Sequence, residues 1–276
     1  MEITTNITDK CGNEKTVKAQ TPKIDLILNA IRERGIFAQI TRYQYLNYDI
    51  EEEMQIIEAI GKSRTPYFVI DDENRFTYEN FIRWCRCDTK MQCLAPETSQ
   101  VIPGNLRHGI YIAGATGTGK SWCLDIMQAY CRVMGFKLKY VDDKDISPLV
   151  WGSVRADALC DIYTETGDIK KFKQRNILSV QDFGSEPQES LYMGNRLEVM
   201  RSLIEYRGDR SDCLTLITSN MKLGGDKLLK RYGDRVASRL CEMCNYFEIR
   251  GADRRKWRNI AHNTTEANGA SKAPNK

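Results

Sequence analysis

The stretch Gly109–Ser121 reads Gly-Ile-Tyr-Ile-Ala-Gly-Ala-Thr-Gly-Thr-Gly-Lys-Ser. Its first part is an apolar segment typical of a buried strand, and its second part has the pattern G-x-x-x-x-G-K-S of a phosphate-binding loop. Glycines allow successive backbone N–H groups to turn inward around phosphate oxygens, where side chains would obstruct them. The stretch therefore predicts a strand, a phosphate loop and a helix in that order, with a nucleoside triphosphate bound at the loop.

Two side chains at the end of the loop have predicted roles in binding. Lys120 supplies a positive charge for the β- and γ-phosphates, and the Ser121 hydroxyl is placed to bind Mg²⁺. The helix predicted from Lys120 to about Val133 points the positive end of its dipole at the same phosphates. ATP and Mg²⁺ are the expected cofactors. The predicted nucleotide-binding stretch consists of Gly114, Ala115, Thr116, Gly117, Thr118, Gly119, Lys120, Ser121 and Trp122.

The composition is that of a soluble globular protein. The chain has 276 residues, of which 41% are hydrophobic and 28% are charged. No apolar run approaches the ~18 residues that a membrane span needs. Residues 1–15 are polar and of mixed charge, so we expect no signal peptide, no membrane partner and a cytoplasmic location. Because the histidines are His108 and His262 alone, a histidine-based catalytic centre is not expected.

The ten cysteines are scattered along the chain, and in a reducing compartment such thiols behave as small hydrophobic residues. Cys85, Cys87 and Cys93 form a cluster that could hold a metal ion if a distant cysteine or another chain supplied the missing ligand. Cys241 and Cys244 have CxxC spacing but no second pair nearby. The sequence leaves open whether the first cluster binds metal.

Positive charge is concentrated between Lys230 and Arg258. This segment has nine Lys and Arg against four Asp and Glu, a net charge of 9 − 4 = +5 in a chain whose total is +4. Such a segment can bind the phosphates of a nucleotide or of a polynucleotide. The alternative is a solvated basic face.

The chain is predicted to have two structured parts. Apolar residues at helical spacing predict a small, mostly helical N-terminal domain over residues 1–95, with a helix that begins after Pro22 and ends at Gly35. Prolines and a glycine mark residues 96–108 as a linker. Strands and helices alternate over 109–260, which predicts an α/β fold with a parallel sheet covered on both faces. Residues 261–276 are polar and are expected to form a disordered tail, with no helical lid behind the core.

Polar side chains follow two of the predicted strands. Asp182 ends one strand, where an acidic residue suits Mg²⁺ and an attacking water. Asn220 follows the next strand and can orient water or sense loss of phosphate. Each of the two could instead be an ordinary turn residue. The predicted strands are 109–114, 137–142, 176–182, 213–219 and 246–250. The predicted helices are 120–133, 153–166, 189–207 and 225–243, with a break in the last at Gly233.

Together these motifs resemble the DnaC/IstB-type branch of the AAA+ ATPases, over roughly residues 105–258. The resemblance implies a five-stranded AAA+ core that often lacks a lid, in proteins that load helicases or assist transposases. By position, Lys120 and Ser121 match the Walker A pair, Asp182 lies in the Walker B motif, and Asn220 matches the sensor on the fourth strand.

The same resemblance assigns roles to three arginines. Arg239, in Gly-Asp-Arg-Val-Ala-Ser-Arg, matches the arginine finger, and Arg235 is the second choice. Arg255, in Gly-Ala-Asp-Arg-Arg, matches the second sensor and is expected to contact the nucleotide. An arginine finger completes the site of a neighbouring subunit, so ATP is expected to promote a homo-oligomer. The alternative for each finger candidate is a surface salt bridge.

One departure from the family pattern concerns hydrolysis. Relatives have two adjacent acids where this chain has Gln181 followed by Asp182. A single carboxylate must then serve both the metal and the attacking water. We therefore expect ATP binding to persist, hydrolysis to be slow, and ATP to act mainly as a switch for assembly.

The resemblance also implies single-stranded DNA as a partner, bound through phosphate contacts and stacking. The basic segment 170–175 is a candidate for this contact, and a solvated turn is the alternative. The favoured function is a replication accessory ATPase that acts on a replicative helicase, with residues 1–95 recognising the partner. A transposition helper that acts on a transposase shares every ATPase motif. A nucleotide-binding scaffold without catalysis is a further alternative, whereas a small-molecule kinase would need an acceptor pocket and lid arginines that the sequence lacks.

Overall fold

A computed structural model describes residues 2–8, 14–20, 23–34, 39–141 and 144–254. Arg255 and the predicted tail 261–276 lie outside the described residues. The chain divides into two compact units, Met1–Ala38 and Gln39–Lys276. No helix in the described ranges is long and apolar enough to cross a membrane.

The first unit contains strands that the predicted helical domain did not include. β1 (Glu2–Thr8) and β2 (Glu14–Gln20) pair antiparallel, and α1 (Ile24–Arg34) follows. Both strands contain threonine together with isoleucine or valine, whose branched side chains favour extended backbone. The predicted helix beginning after Pro22 is present as α1.

The second unit contains the remaining elements, in chain order. They are β3 (Thr41–Arg42), α2 (Ile50–Arg64), α3 (Arg75–Arg86), β4 (Gln92–Leu94), β5 (Val101–Pro103), β6 (Gly109–Ala113), α4 (Lys120–Met134), β7 (Lys137–Lys139), β8 (Ser147–Pro148), β9 (Gly152–Arg155), α5 (Ala156–Thr166), α6 (Lys170–Gln174), β10 (Ile177–Phe183), β11 (Ser190–Tyr192), β12 (Asn195–Leu197), α7 (Val199–Gly208), β13 (Leu214–Ser219), α8 (Asp226–Met243) and β14 (Cys244–Glu248).

A seven-stranded sheet forms the centre of this unit, in the order β5-β4-β14-β6-β13-β10-β9. The five strands from β14 to β9 are mutually parallel, whereas β4 and β5 extend the sheet antiparallel. The predicted α/β fold is confirmed, but the sheet is mixed. β5 lies within the predicted linker, where its proline is tolerated because the strand is at the sheet edge.

The two faces of the sheet are covered by different helices. Ile110 and Ile112 of β6 pack with α2, α3 and α4. The alternate residues Tyr111 and Ala113 pack with α5, α7 and α8 on the opposite face. All four side chains are buried, as expected for a central parallel strand with helices on both sides.

The second strand of the parallel sheet is not the predicted segment 137–142. Within that segment β7 pairs antiparallel with β3 and β8 in a small separate sheet. β9 occupies the sheet edge beside β10 instead. Leu149 and Trp151, which precede β9, are buried in the core. The alternating Lys-Leu-Lys of β7 buries Leu138 in the same core, so its small sheet also covers the main one.

The predicted helix 189–207 is also divided differently. Its first half is the hairpin β11–β12, and α7 forms the second half. Met193 and Gly194, between the two strands, have φ angles of 46° and 86°. Positive φ at both central residues is what a type I′ hairpin turn requires, and it is incompatible with a helix.

The predicted boundary at residue 95 differs from the division in the structure, because residues 39–94 share the core of the main sheet. Phe81 and Trp84 of α3 are fully buried. Phe81 stacks on Trp151 with ring centroids 6.0 Å apart, and Trp84 donates from Nε1 to the His108 carbonyl at 2.8 Å. α2 and α3 therefore stabilise the sheet that carries the phosphate loop.

Candidate functional site

The predicted phosphate loop connects β6 to α4 at the edge of the sheet where the parallel strands end. β6 and β13 are neighbours, yet the helices that follow them, α4 and α8, lie on opposite faces. In open parallel sheets a crevice forms at such a position, and ligands bind there.

The segment after β14 packs so closely on the loop that two of its glycines have no room for a side chain. Gly117 and Gly119 have φ angles of 83° and 99°, a conformation that favours glycine. A Cβ atom added to Gly114 would lie 2.2 Å from the carbonyl oxygen of Ile249, and one added to Gly117 would lie 1.9 Å from Asp253 Oδ1. Gly119 at the N-cap of α4 has no side chain to cap the first N–H groups, as in helix N-termini that bind anions.

Lys120 and Asn220, predicted from separate motifs, lie together in the structure. The Lys120 ammonium donates to the Ala115 carbonyl at 2.8 Å and to Asn220 Oδ1 at 2.7 Å. Asn220 Nδ2 donates weakly to Thr116 Oγ1 at 3.5 Å. Lys120 is only 6% exposed, so its charge is held inside the loop by oxygen acceptors.

The segment after β14 closes against the loop. Ile249 N–H donates to the Ala113 carbonyl at 2.8 Å, and Arg254 N–H donates to the Gly117 carbonyl at 3.1 Å. The Arg254 side chain pairs with Asp71 at 2.8 Å. The predicted sensor Arg255 is not described, but its neighbour Arg254 reaches the loop. Asp71, four residues before α3, belongs to no motif that is visible in the sequence.

Asp182, the predicted acid, forms an ion pair with an arginine of the adjacent strand. Asp182 Oδ2 lies 3.0 Å from Arg155, whose guanidinium also contacts Asp157 at 3.0 Å. The hydrogen bond to Asp157 and the charges of Asp157 and Asp182 raise the pKa of Arg155. Asp182 has a φ of 55°, an uncommon value for a residue other than glycine.

Gln181 contacts the helix that follows the phosphate loop. Its Nε2 donates to Asp125 Oδ1 of α4 at 3.1 Å. The other oxygen of Asp125 pairs with Arg64 at 2.6 Å. The guanidinium of Arg64 lies 5.3 Å from the ring centroid of Trp122. Asp125 was not predicted as a site residue, although its spacing of four residues from Ser121 places both on one side of α4.

A buried glutamate connects the segment after β10 to α8. Glu186 accepts from Gly184 N–H at 2.8 Å and from the Tyr232 hydroxyl. Burial, together with the charge of Glu186, raises the pKa of Tyr232 well above its usual value. Phe183 stacks on Tyr232 with centroids 4.5 Å apart. Gly233 (φ 79°) follows Tyr232 and breaks α8 at the predicted position.

The two candidates for the arginine finger follow this break and pair with acids of their own unit. Arg239 pairs with Asp209 and, at 3.2 Å, with Glu242. Arg235 is 72% exposed and lies 3.4 Å from Glu205. Arg235 and Asp209 line a pocket of about 430 Å³ between α7 and α8, and no phosphate-loop residue lines it. The structure thus brings Lys120 and Asn220 together and leaves both arginines outside the loop.

The cysteine cluster considered for metal binding is buried. Burial raises the pKa values of Cys85, Cys87 and Cys93, and Cys85 Sγ lies 3.4 Å from Cys131 Sγ. In the part of the chain that the structure describes, no group of three or more His, Cys, Asp or Glu side chains is arranged to hold a metal ion. The described cluster therefore packs as apolar core.

Sheet, loop and lysine define an α/β fold with a phosphate-loop architecture. No family model matches the chain, and no curated protein matches it. Among solved structures it is similar to DnaI (15% identity, 71% of this chain and 93% of that one, TM-score 0.44) and to the DnaC helicase loader (17%, 67% and 94%, 0.42). It is also similar to AMPPCP-bound DnaA from Aquifex aeolicus (17%, 73% and 54%, 0.41), and it spans about half the length of DnaA.

Proposed function

We propose that this protein binds Mg-ATP at the loop of residues 114–121 and acts as an AAA+ protein of the DnaC-like helicase-loader type in DNA replication. The observation that carries the proposal is the position of Lys120. Its ammonium is held by the Ala115 carbonyl and Asn220 Oδ1 within the glycine-rich loop at the end of β6. Phosphate oxygens would be stronger acceptors for this ammonium than either group.

The residues present fit a magnesium ion bound with ATP. Mg²⁺ is usually held by one or two carboxylates, several waters and the phosphates of the substrate, so one hydroxyl and one carboxylate are a sufficient set of protein ligands. The Ser121 hydroxyl and the Asp182 carboxylate are the proposed protein ligands. The ion would neutralise charge on the phosphates.

Slow hydrolysis follows from the state of Asp182. It is the single acid of the Gln181–Asp182 pair, and Arg155 lies 3.0 Å from its carboxylate. The guanidinium occupies an oxygen of this carboxylate and must move before that oxygen can orient an attacking water. ATP binding, rather than ATP hydrolysis, is therefore the proposed signal for assembly. This observation also supports the second candidate, a nucleotide-binding scaffold that does not hydrolyse ATP.

Assembly is the proposed consequence of binding. Arg239 acts as the finger on a neighbouring copy and exchanges its contacts with Asp209 and Glu242 for the phosphates there. Arg255 is proposed as a further contact to the nucleotide of its own copy. The homo-oligomer binds single-stranded DNA, with the basic helix α6 as a candidate contact. The partner is a replicative helicase, or a transposase if the protein is an IstB-like helper.

Calorimetry with Mg-ATP on the full chain tests the proposal. The wild-type protein is expected to bind with saturation, and Lys120→Ala is expected to abolish binding while the protein stays folded. Absence of saturable binding by folded wild-type protein would overturn the proposed function. Pull-down with a replicative helicase or a transposase then identifies the partner. It requires the full chain, because residues 39–94 share the core of the sheet.

A further inference from the structure

The proposed metal site has a neutral amide where a carboxylate is expected. Along β10, Ile177 packs on the face covered by α4, and Leu178 and Val180 pack on the opposite face. Side chains alternate along a strand, so Gln181 faces α4, the helix that begins beside Ser121. Its hydrogen bond to Asp125 agrees with this direction.

Helix α4 supplies a carboxylate next to Gln181, that of Asp125. Asp125 lies four residues after Ser121, and residues at that spacing share a helix face. The Asp125 side chain is 37% exposed, so water can reach it. One of its oxygens accepts from Gln181 and the other pairs with Arg64.

Both carboxylates near the strand end are paired with arginines. Arg155 offsets the charge of Asp182, and Arg64 offsets the charge of Asp125. The role of Asp125 therefore rests on its hydrogen bond to Gln181 and not on an unpaired negative charge.

We propose that Asp125 is a positioning residue for the magnesium ion and acts through Gln181. It replaces, from the helix, the acid that is missing from the strand. This inference rests on the proposed binding of Mg-ATP.

The chemistry of the amide fixes its orientation. An ionised carboxylate accepts hydrogen bonds and donates none, so Gln181 must turn its NH₂ group towards Asp125. The amide oxygen of Gln181 then points away from Asp125 and is available as an acceptor for water bound to the metal. Such partners outside the ligand set orient ligands and tune metal affinity. Asp125 thus fixes the orientation of the Gln181 amide.

Binding of a fluorescent ATP analogue, titrated with Mg²⁺ and also measured in EDTA, tests this role. In Asp125→Asn the Mg²⁺ concentration for half-maximal enhancement should rise about 10-fold or more, while affinity in EDTA is not weakened. Mn²⁺ in place of Mg²⁺ gives a second readout, because its electron paramagnetic resonance signal falls on binding. The variant should show the same loss of affinity for Mn²⁺.

Two further variants separate this role from a structural one. Gln181→Ala leaves the Asp125–Arg64 pair in place and should reproduce the loss of metal affinity. Asp125→Asn combined with Gln181→Asp returns the acid to the strand and should restore it. Arg64→Gln breaks the ion pair but leaves the Gln181 contact, so the metal response should persist.

The outcomes are distinguishable. If wild-type protein binds ATP with an Mg²⁺ enhancement that Asp125→Asn does not change, the inference is overturned and the proposed function stands. An equal loss in Arg64→Gln overturns it as well, because packing of α2 on α4 would then explain the effect. If folded wild-type protein binds no ATP analogue with or without metal, both the inference and the proposed function are overturned.

Discussion

The Lys120 ammonium lies 2.7 Å from Asn220 Oδ1. One hydrogen bond thus joins the start of α4 to the end of β13, the strand beside β6 in the sheet. Lys120 is therefore positioned at the loop before any phosphate arrives. Such preorganisation lowers the entropy lost when a ligand binds.

Replacing Asn220 by alanine is expected to weaken ATP binding only modestly. Ala115 still holds Lys120, so the loss should be about fivefold, equivalent to roughly 1 kcal/mol. Calorimetry with ATP and ADP measures it. Asn220→Asp is the matched control, since its negative charge should weaken the binding of ATP more than the binding of ADP. Equal affinities in the wild type, Asn220→Ala and Asn220→Asp would show that Asn220 takes no part in nucleotide binding.

Replacing Arg155 by alanine is expected to raise steady-state ATP hydrolysis. The change frees the Asp182 carboxylate, whose ion pair with Arg155 is partly exposed, so stability should change by less than about 1 kcal/mol. Asp157→Asn is the control, because it leaves Arg155 paired with Asp182 alone and should lower hydrolysis. A phosphate-release assay measures both. No increase in Arg155→Ala would show that Asp182 does not limit turnover.

Replacing Arg239 by alanine is expected to leave ATP affinity intact and to abolish ATP-dependent assembly. Asp209→Ala removes one of the acids that hold Arg239, and assembly should then need less ATP. Light scattering with and without ATP measures the size of the particles. An unchanged oligomer in Arg239→Ala would exclude this residue as the finger.

Arg207 is expected to be among the most important side chains for stability. It is fully buried and donates to the Arg175 carbonyl at 2.5 Å, the Leu214 carbonyl at 2.7 Å and Thr215 Oγ1 at 2.9 Å. Arg207→Met leaves these acceptors unpaired and should cost more than about 3 kcal/mol.

Urea denaturation measures this loss of stability. Arg196→Met is the control for Arg207→Met, because Arg196 is 76% exposed and its loss should cost less than about 0.5 kcal/mol. Similar free energies of unfolding for the two variants would contradict the assigned role of Arg207.

Stability is expected to fall as the pH drops below 6.5, through His108. Burial lowers the pKa of His108 from its ordinary value of 6.5, and its Nε2 lies 2.9 Å from Asn105 Nδ2, a contact that suits the neutral ring. The unfolded chain therefore takes up a proton before the folded one does, and protonation favours unfolding. His108→Gln should flatten the pH dependence between pH 7.5 and 5.5 in urea melts. An identical pH dependence of the unfolding free energy in His108→Gln and the wild type would contradict the role of His108.

The sequence indicated the parts of the fold that are set by local chemistry. The phosphate loop, the strand before it and the break at Gly233 depend on glycines at defined positions, and such requirements are visible in a single chain. The contact between Asn220 and Lys120 agrees with the rule that neighbouring parallel strands end at one edge of the sheet.

The parts that were missed depend on contacts between distant segments. Short stretches such as β7 and β9 give no local sign of which one joins the main sheet, and Leu138 of β7 is buried in the same core as Leu149 and Trp151. Asp125 lies in a helix whose pattern gives no sign that Gln181 will face it. Arg155 was predicted as part of a helix, so its pairing with Asp182 could not be foreseen.

The shared core of residues 39–94 and the sheet has a practical consequence for fragments. A truncated chain that started at the phosphate-loop strand would keep every nucleotide motif but lose the cover of α2 and α3 over Ile112 and Tyr130. The bared apolar face would promote aggregation. Failure of such a fragment to bind ATP would then report misfolding and carry no information about the chemistry of the loop.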